Sequence, residues 1–149
     1  MSDMFSMLQI SGSAMSAERQ RAEVVAANLA NANTTRTTDG GPYRRKEVVF
    51  SSTGASPFRL AFQRISHLLG APTAAVRVAK VVADPASPLM RYEPGHPDAN
   101  PQGYVAYPAI NPIQEMVDLM GAVRAYQLNA SAVNASKQMF QQAIDILRA

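Results

Sequence analysis

The chain has 149 residues, a formal net charge of +3 and 47% apolar residues, which suits one small domain with room for a core. It has no Cys and no Trp, so a disulfide scaffold, a thiolate metal site and a Cys nucleophile are all excluded. The mild positive charge permits an acidic partner but falls short of the clustered basic face of a nucleic-acid binder.

Residues 1–17 carry a single charge, Asp3, and their apolar residues are broken by Ser2, Ser6, Gln9, Ser11, Gly12 and Ser13. This matches no secretory signal, and no run of about 18 apolar residues suggests a membrane-spanning helix. Met4, Leu8, Ser11, Met15, Glu18, Ala22, Val25, Leu29 and Ala32 alternate at spacings of four and three. That is a heptad seam, and it predicts a long helix packed in coiled-coil fashion. Gly12 weakens the helix by about 1 kcal/mol relative to Ala.

The helix meets its end in Ala27–Thr37. Asn28, Asn31 and Asn33 are followed by Thr34, Thr35, Thr37 and Thr38. Asn competes with the helix by bonding nearby backbone, and Thr loses rotamer freedom in it. These residues read either as helix punctuation or as amides bonding the backbone of adjacent subunits.

Residues 33–56 read as a connector. Asp39-Gly40-Gly41-Pro42 breaks regular structure, with Gly free to take positive φ and Pro fixing the next φ. The triplet Arg44-Arg45-Lys46 is either a solvated loop or a contact for an acidic neighbour. Val48-Val49-Phe50 is a short strand candidate. Residues 57–71 fit a short amphipathic helix or a strand and turn equally well.

Alternation of Val76, Val78 and Val82 with Arg77 and Lys80 predicts a strand over 74–83, and Leu89–Glu93 predicts a second. The stretch 94–103 holds three Pro and two Gly and must be a loop. Residues 103–108 return to extended backbone.

Asn111-Pro112 reads as a helix start, with Glu115 and Asp118 beside the positive helix end. The seam expected for this second helix is Met116, Leu119, Val123, Tyr126, Ala130, Val133, Lys137, Phe140, Ile144 and Leu147. From Ala125 to Ile144 the only charge is Lys137, and the positions off the seam are mostly Ala, Ser, Asn and Gln. Solvated helix faces normally carry Lys and Glu. Small neutral faces imply cover on several sides, more than one partner helix of the same chain provides, so other subunits are expected to supply the rest.

Catalytic patterns are missing. His67 and His96 have no ligand partners at helical or strand spacing, and Gly40-Gly41 lacks the Lys and Ser/Thr of a phosphate loop. No aromatic residues interleave with the basic triplet as nucleic-acid stacking requires.

The blocks Asn28-Leu29-Ala30-Asn31-Ala32-Asn33-Thr34-Thr35-Arg36-Thr37 and Gly40-Gly41-Pro42-Tyr43-Arg44-Arg45-Lys46 resemble the N-terminal signature of the bacterial flagellar basal-body rod family. Arg91–Asn100, Gly103–Pro108, Glu115-Met116-Val117, Arg124–Gln127 with Asn129, and Lys137-Gln138-Met139 are similar to its C-terminal blocks, with the proximal rod branch the nearest in pattern. The chain departs from the family at Ala109-Ile110-Asn111-Pro112, where Asn more often follows Tyr-Pro, and residues 55–75 show no likeness.

The resemblance implies an α+β fold: two long terminal helices paired in coiled-coil fashion, 1–34 and 111–149, around a connector and small β-rich insert, 35–110. It implies a structural rod subunit of a helical drive shaft that transmits torque and crosses the periplasm. Its partners would be other copies of itself and other rod proteins, with MS-ring or export-gate components as further candidates. It implies no enzyme activity, cofactor, metal, small-molecule substrate or nucleic acid, and export by the flagellar type III route without a cleaved signal. The residues expected to carry assembly are Asn28, Leu29, Asn31, Asn33, Arg44, Arg45, Met116, Val123, Tyr126, Asn129, Val133, Phe140 and Ile144. A distal rod or hook component is the near alternative. A small basic adaptor for nucleic acid or an acidic protein, acting through Arg44, Arg45 and Lys46, is the distant one.

Overall fold

A computed structural model of the chain describes residues 2–53 and 75–148. The order of elements is α1 (Ser2–Ala30), β1 (Lys46–Thr53), β2 (Ala75–Ala83), β3 (Leu89–Tyr92), β4 (Tyr104–Tyr107) and α2 (Pro112–Arg148). Two long terminal helices thus flank a small β insert, an α+β arrangement. The ambiguous stretch 57–71 lies outside the described residues, as do the side chains of Met4 and Leu147.

The chain divides into two units. One comprises Met1–Arg19, Phe50–Ala79 and Val123–Ala149; the other comprises Gln20–Val49 and Lys80–Ala122. In the first, Ser11, Ala17 and Ser136 are buried. Ser136 Oγ bonds the Ala132 carbonyl at 2.9 Å and lies 3.6 Å from Met7 Sδ, so here α1 and α2 touch through small side chains. Ser13 Oγ accepts from the Val76 amide at 3.1 Å and ties α1 to the start of β2.

The second unit holds Val25, Ala32, Val105, Ile110 and Ala122 as its apolar core. Asn28 of α1 meets Glu115 of α2, and Arg21 meets Asp118, so the two helices run antiparallel in this unit. α1 stops at Ala30 because Asn31 turns its side chain back. Its Nδ2 donates to the Ala27 carbonyl at 2.8 Å, and Thr34 Oγ1 donates to its Oδ1 at 3.1 Å. The connector then reverses through Gly40 and Gly41, at φ 83° and 80°, the two positive-φ glycines that Asp-Gly-Gly-Pro predicts. Thr37 N donates to Gly41 O at 2.9 Å and Tyr43 N to Thr34 O at 3.0 Å, closing the turn.

β1 and β2 form one two-stranded sheet, β3 and β4 another. The second is antiparallel with Leu89 opposite Tyr107 and Tyr92 opposite Tyr104. Its loop is held by Asn100, whose Oδ1 accepts from the amides of Gln102 and Tyr104 at 3.0 and 2.9 Å. Asp98 pins the connector to this loop: Thr35 Oγ1 donates to it at 2.8 Å and Arg36 lies 3.6 Å away.

α2 begins as the sequence predicts. Asn111 Oδ1 caps the Ile113 amide at 3.0 Å and Pro112 takes the first helical position. Its seam differs from the expectation. The row Leu119, Val133 and Phe140 is half-buried, but Tyr126 in the same row is exposed. The other row moves back by one residue: Glu115, Ala122 and Ser136 are buried and Asn129 is half-buried, while of the expected row Met116, Val123, Lys137 and Ile144 are exposed and Ala130 is half-buried. The reason is size and bonding. Ala122 and Ser136 let the backbone approach closely, and Glu115 is fully hydrogen-bonded. The larger apolar residues read as core only if burial is presumed to follow bulk.

Candidate functional site

A buried polar cluster lies in the second unit, where the last turns of α1, the connector and the first turn of α2 converge. Asn28 is fully buried. Its amide uses all four of its hydrogen-bonding positions. Nδ2 donates to the Lys46 carbonyl at 2.8 Å and to Glu115 Oε2 at 3.0 Å. Oδ1 accepts from the Lys46 amide at 2.9 Å and from the Tyr43 hydroxyl at 3.1 Å. A buried amide survives in a core only when satisfied in this way. The paired bonds to both backbone groups of Lys46 hold the start of β1 as a ladder partner would.

Glu115 is 1% exposed and sits in the first turn of α2, where the helix end favours its charge. Its second oxygen accepts from Arg45 Nε at 2.6 Å. Arg45 also bonds Glu47 and lies 3.7 Å from Asp118, which in turn lies 3.8 Å from Arg21. Burial alone would lower the Arg45 pKa. The hydrogen bond and charge of Glu115, and then those of Glu47, outweigh it and hold the guanidinium above its ordinary value. The Tyr43 hydroxyl is raised above 10.0, first by burial and then by the Glu115 charge. The cluster joins two guanidinium groups, Arg21 and Arg45, to three carboxylates, Glu47, Glu115 and Asp118. It positions three chain segments and offers no open site for a reactant.

The expected assembly residues separate into three groups. Asn28 and Arg45 belong to this junction and spend their polar groups inside the chain. Leu29, Asn31, Asn129, Val133 and Phe140 are half-buried; Asn129 Nδ2 donates to the Ala125 carbonyl at 2.9 Å. Asn33, Arg44, Met116, Val123, Tyr126 and Ile144 are exposed. The basic triplet is therefore not one patch. Arg44 faces solvent, Arg45 turns inward, and Lys46 places Nζ 5.7 Å over the Tyr43 ring.

Sequence reading missed Tyr43, Glu115, Asp118 and Arg21 as junction residues. Glu115 and Asp118 look like ordinary acids at a helix start until the connector folds back across them. A Tyr and an Arg two residues apart, at Tyr43 and Arg45, were the available signal: on extended backbone they share a face.

Large apolar side chains cover the outside of α2. In the second unit Ile113, Met116, Val117 and Met120 are all exposed, with Met120 at 71%. In the first unit Val123, Tyr126, Leu128, Met139, Ile144 and Ile146 are exposed. Among the described residues no helix is long and apolar enough to cross a membrane, and no three His, Cys, Asp or Glu are placed to hold a metal ion.

These features define a class: an α+β chain with its terminal helices joined at a closed polar junction and an uncovered apolar helix surface. Two family descriptions match it. Residues 8–36, within α1 and its end, match the flagella basal body rod protein, and residues 102–146, from β4 through α2, match the C-terminal part of the flagellar basal body rod FlgEFG proteins. The chain is 36% identical over 149 residues to the flagellar basal-body rod protein FlgC of Borreliella burgdorferi, covering 97% of this chain and 98% of that protein. It is 41% identical to FlgC of Bacillus subtilis, with 95% and 97% covered, and 38% identical to FlgC of Escherichia coli O157:H7, with 96% and 97% covered. The chain belongs to the flagellar basal-body rod protein family.

Proposed function

We propose that the chain is a structural subunit of the proximal flagellar rod, packed through its terminal helices into a helical shaft that transmits torque. Its place is the basal body, and its neighbours are further copies of itself and other rod proteins. The observation that carries the reading is the outer surface of α2. A face with Ile113, Met116, Val117 and Met120 uncovered, followed by a run from Ala125 to Ile144 with one charge, is costly in water and suited to burial against neighbours. The full-length likeness to FlgC proteins supports the same reading. In the assembled state we infer coiled-coil pairing of α1 with α2, a rod that spans the periplasm, and export by the flagellar route without a cleaved signal. The function is mechanical, and no enzymatic step is part of it.

Met120→Asp tests this reading. The position is exposed, so monomer stability should stay within about 0.5 kcal/mol. A strain carrying only this variant should export the protein yet build no rod and fail to swim. Normal swimming would show that the face stays in water.

A further inference from the structure

We infer that Asn28, Arg45 and Glu115 form a register lock, which specifies the one alignment of the end of α1 with the start of α2 that assembly accepts. The inference rests on the rod-subunit reading and adds to it the residues that position the assembling surface.

Two observations carry it. First, the junction is saturated: all four positions of the Asn28 amide and both oxygens of Glu115 are used, and the partners come from α1, the connector and α2. Second, no neighbouring register satisfies it. The helices are antiparallel here, with Asn28 opposite Glu115. Sliding one turn in one direction sets Asn28 opposite Leu119 and Glu115 opposite Ala32. Sliding in the other sets Glu115 opposite Val24 and Asn28 opposite Asn111. In either case Glu115 leaves Asn28 and the Arg45 that the Asn28–Lys46 bonds hold beside it, and the set of bonds observed here is not reproduced. Beyond the junction the contact holds the half-buried Arg21–Asp118 pair at 3.8 Å, while Val25, Ala32 and Ala122 are small apolar residues that pack in several alignments.

A buried ion pair is weak evidence for stability, since well-packed apolar residues often replace it at no loss; fixing register is its best-attested use. The surface at stake is the outer face of α2. Its Met116, Val117 and Met120 are presented at a set height relative to α1 only while the lock holds.

The test separates register from stability. The chain has no Cys, so spin labels placed by Ala26→Cys and Gln114→Cys, both exposed positions in the second unit, report the alignment in the full-length monomer. With the lock intact, pulsed electron paramagnetic resonance should give one narrow distance. In Arg45→Met/Glu115→Met the helix content should persist, the distance should broaden or gain a second peak displaced by about 5 Å, one helical turn, and swimming should be lost. Arg45→Lys keeps the charge, loses the fork and serves if the double variant does not fold. One narrow distance in these variants overturns the inference. A broadened distance in a strain that swims normally also overturns it, because assembly would then ignore register. A deletion strain that still swims would remove the rod-subunit reading and leave the distance result standing.

Discussion

Glu115→Ala is the most informative single change in the chain. It removes the buried carboxylate and leaves its two partners in place. Deleting one member of a buried pair costs about 3–5 kcal/mol when the other charge is stranded. Arg45 is only partly stranded: its side chain is 20% exposed, and it keeps Glu47 and a distant Asp118. Asn28 keeps Lys46 and Tyr43 but loses an acceptor for one buried N–H, worth about 1–3 kcal/mol. A favourable charge at the helix start is also lost, worth about 0.3–1 kcal/mol. Because these terms overlap, the expected loss is about 2–4 kcal/mol. At about 2–4 °C per kcal/mol this corresponds to a fall in Tm of roughly 5–15 °C. Far-ultraviolet circular dichroism on the monomer, by heat and by urea, measures it. Glu47→Ala is the control, since Glu47 is 59% exposed and should matter by less than about 1 kcal/mol. If Glu115→Ala and Glu47→Ala melt together, the junction is not the polar centre of the second unit.

Three further outcomes are expected. The raised Tyr43 pKa gives stability that is complete below the unfolded tyrosine value near 10 and declines as pH rises through the higher folded value; Tyr43→Phe should flatten that alkaline decline, leaving the part due to Tyr107, also raised by its bond to Glu93. Gly103 has φ 83°, and a Cβ there would lie 2.8 Å from the Tyr92 ring, so Gly103→Ala should cost at least about 1–2 kcal/mol in urea titration, whereas Gly95→Ala, with open space around it, should cost far less. Ile144→Asp would bury an unpaired charge if Ile144 were a core knob; at 50% exposure it should leave the monomer within about 1 kcal/mol and abolish swimming, and a large loss of monomer stability would return Ile144 to the seam.

The elements were legible wherever a local rule governs them. Asp39–Pro42 carries its turn chemistry in the residues themselves, and Asn111-Pro112 announces a helix start. In the heptad row of α1, Ser11, Val25 and Ala32 are buried and Glu18 is half-buried, but Ala17 and Asn28, off that row, are buried more deeply. What periodicity does not distinguish is which of two adjacent rows faces the partner in the same chain. Rows 115/122/129/136 and 116/123/130/137/144 combine equally well with Leu119 and its row. Bulk favours the second, but close approach of helices and hydrogen bonding favour the first. The junction was illegible for a different reason. Asn28 and Glu115 stand 87 positions apart, and the Tyr43–Arg45 spacing shows that those two side chains share a face but not which helix ends they meet.

The two rows of α2 then divide the work. The inner row, with Ala122, Ser136 and the bonded Glu115, provides close contact but little buried area. At about 25 cal/mol per Å² such small side chains yield modest stabilisation. The outer positions, Met116, Val117, Met120 and Ile144, hold much of the apolar area and leave it uncovered in the single chain. A self-sufficient helical pair would make the opposite choice and put its largest side chains inside. Keeping them outside makes the free subunit less stable than its apolar content permits and assigns the remaining stabilisation to association. Under that arrangement the correct alignment of the helices cannot come from a bulky core, which leaves a saturated polar junction as the means of specifying it.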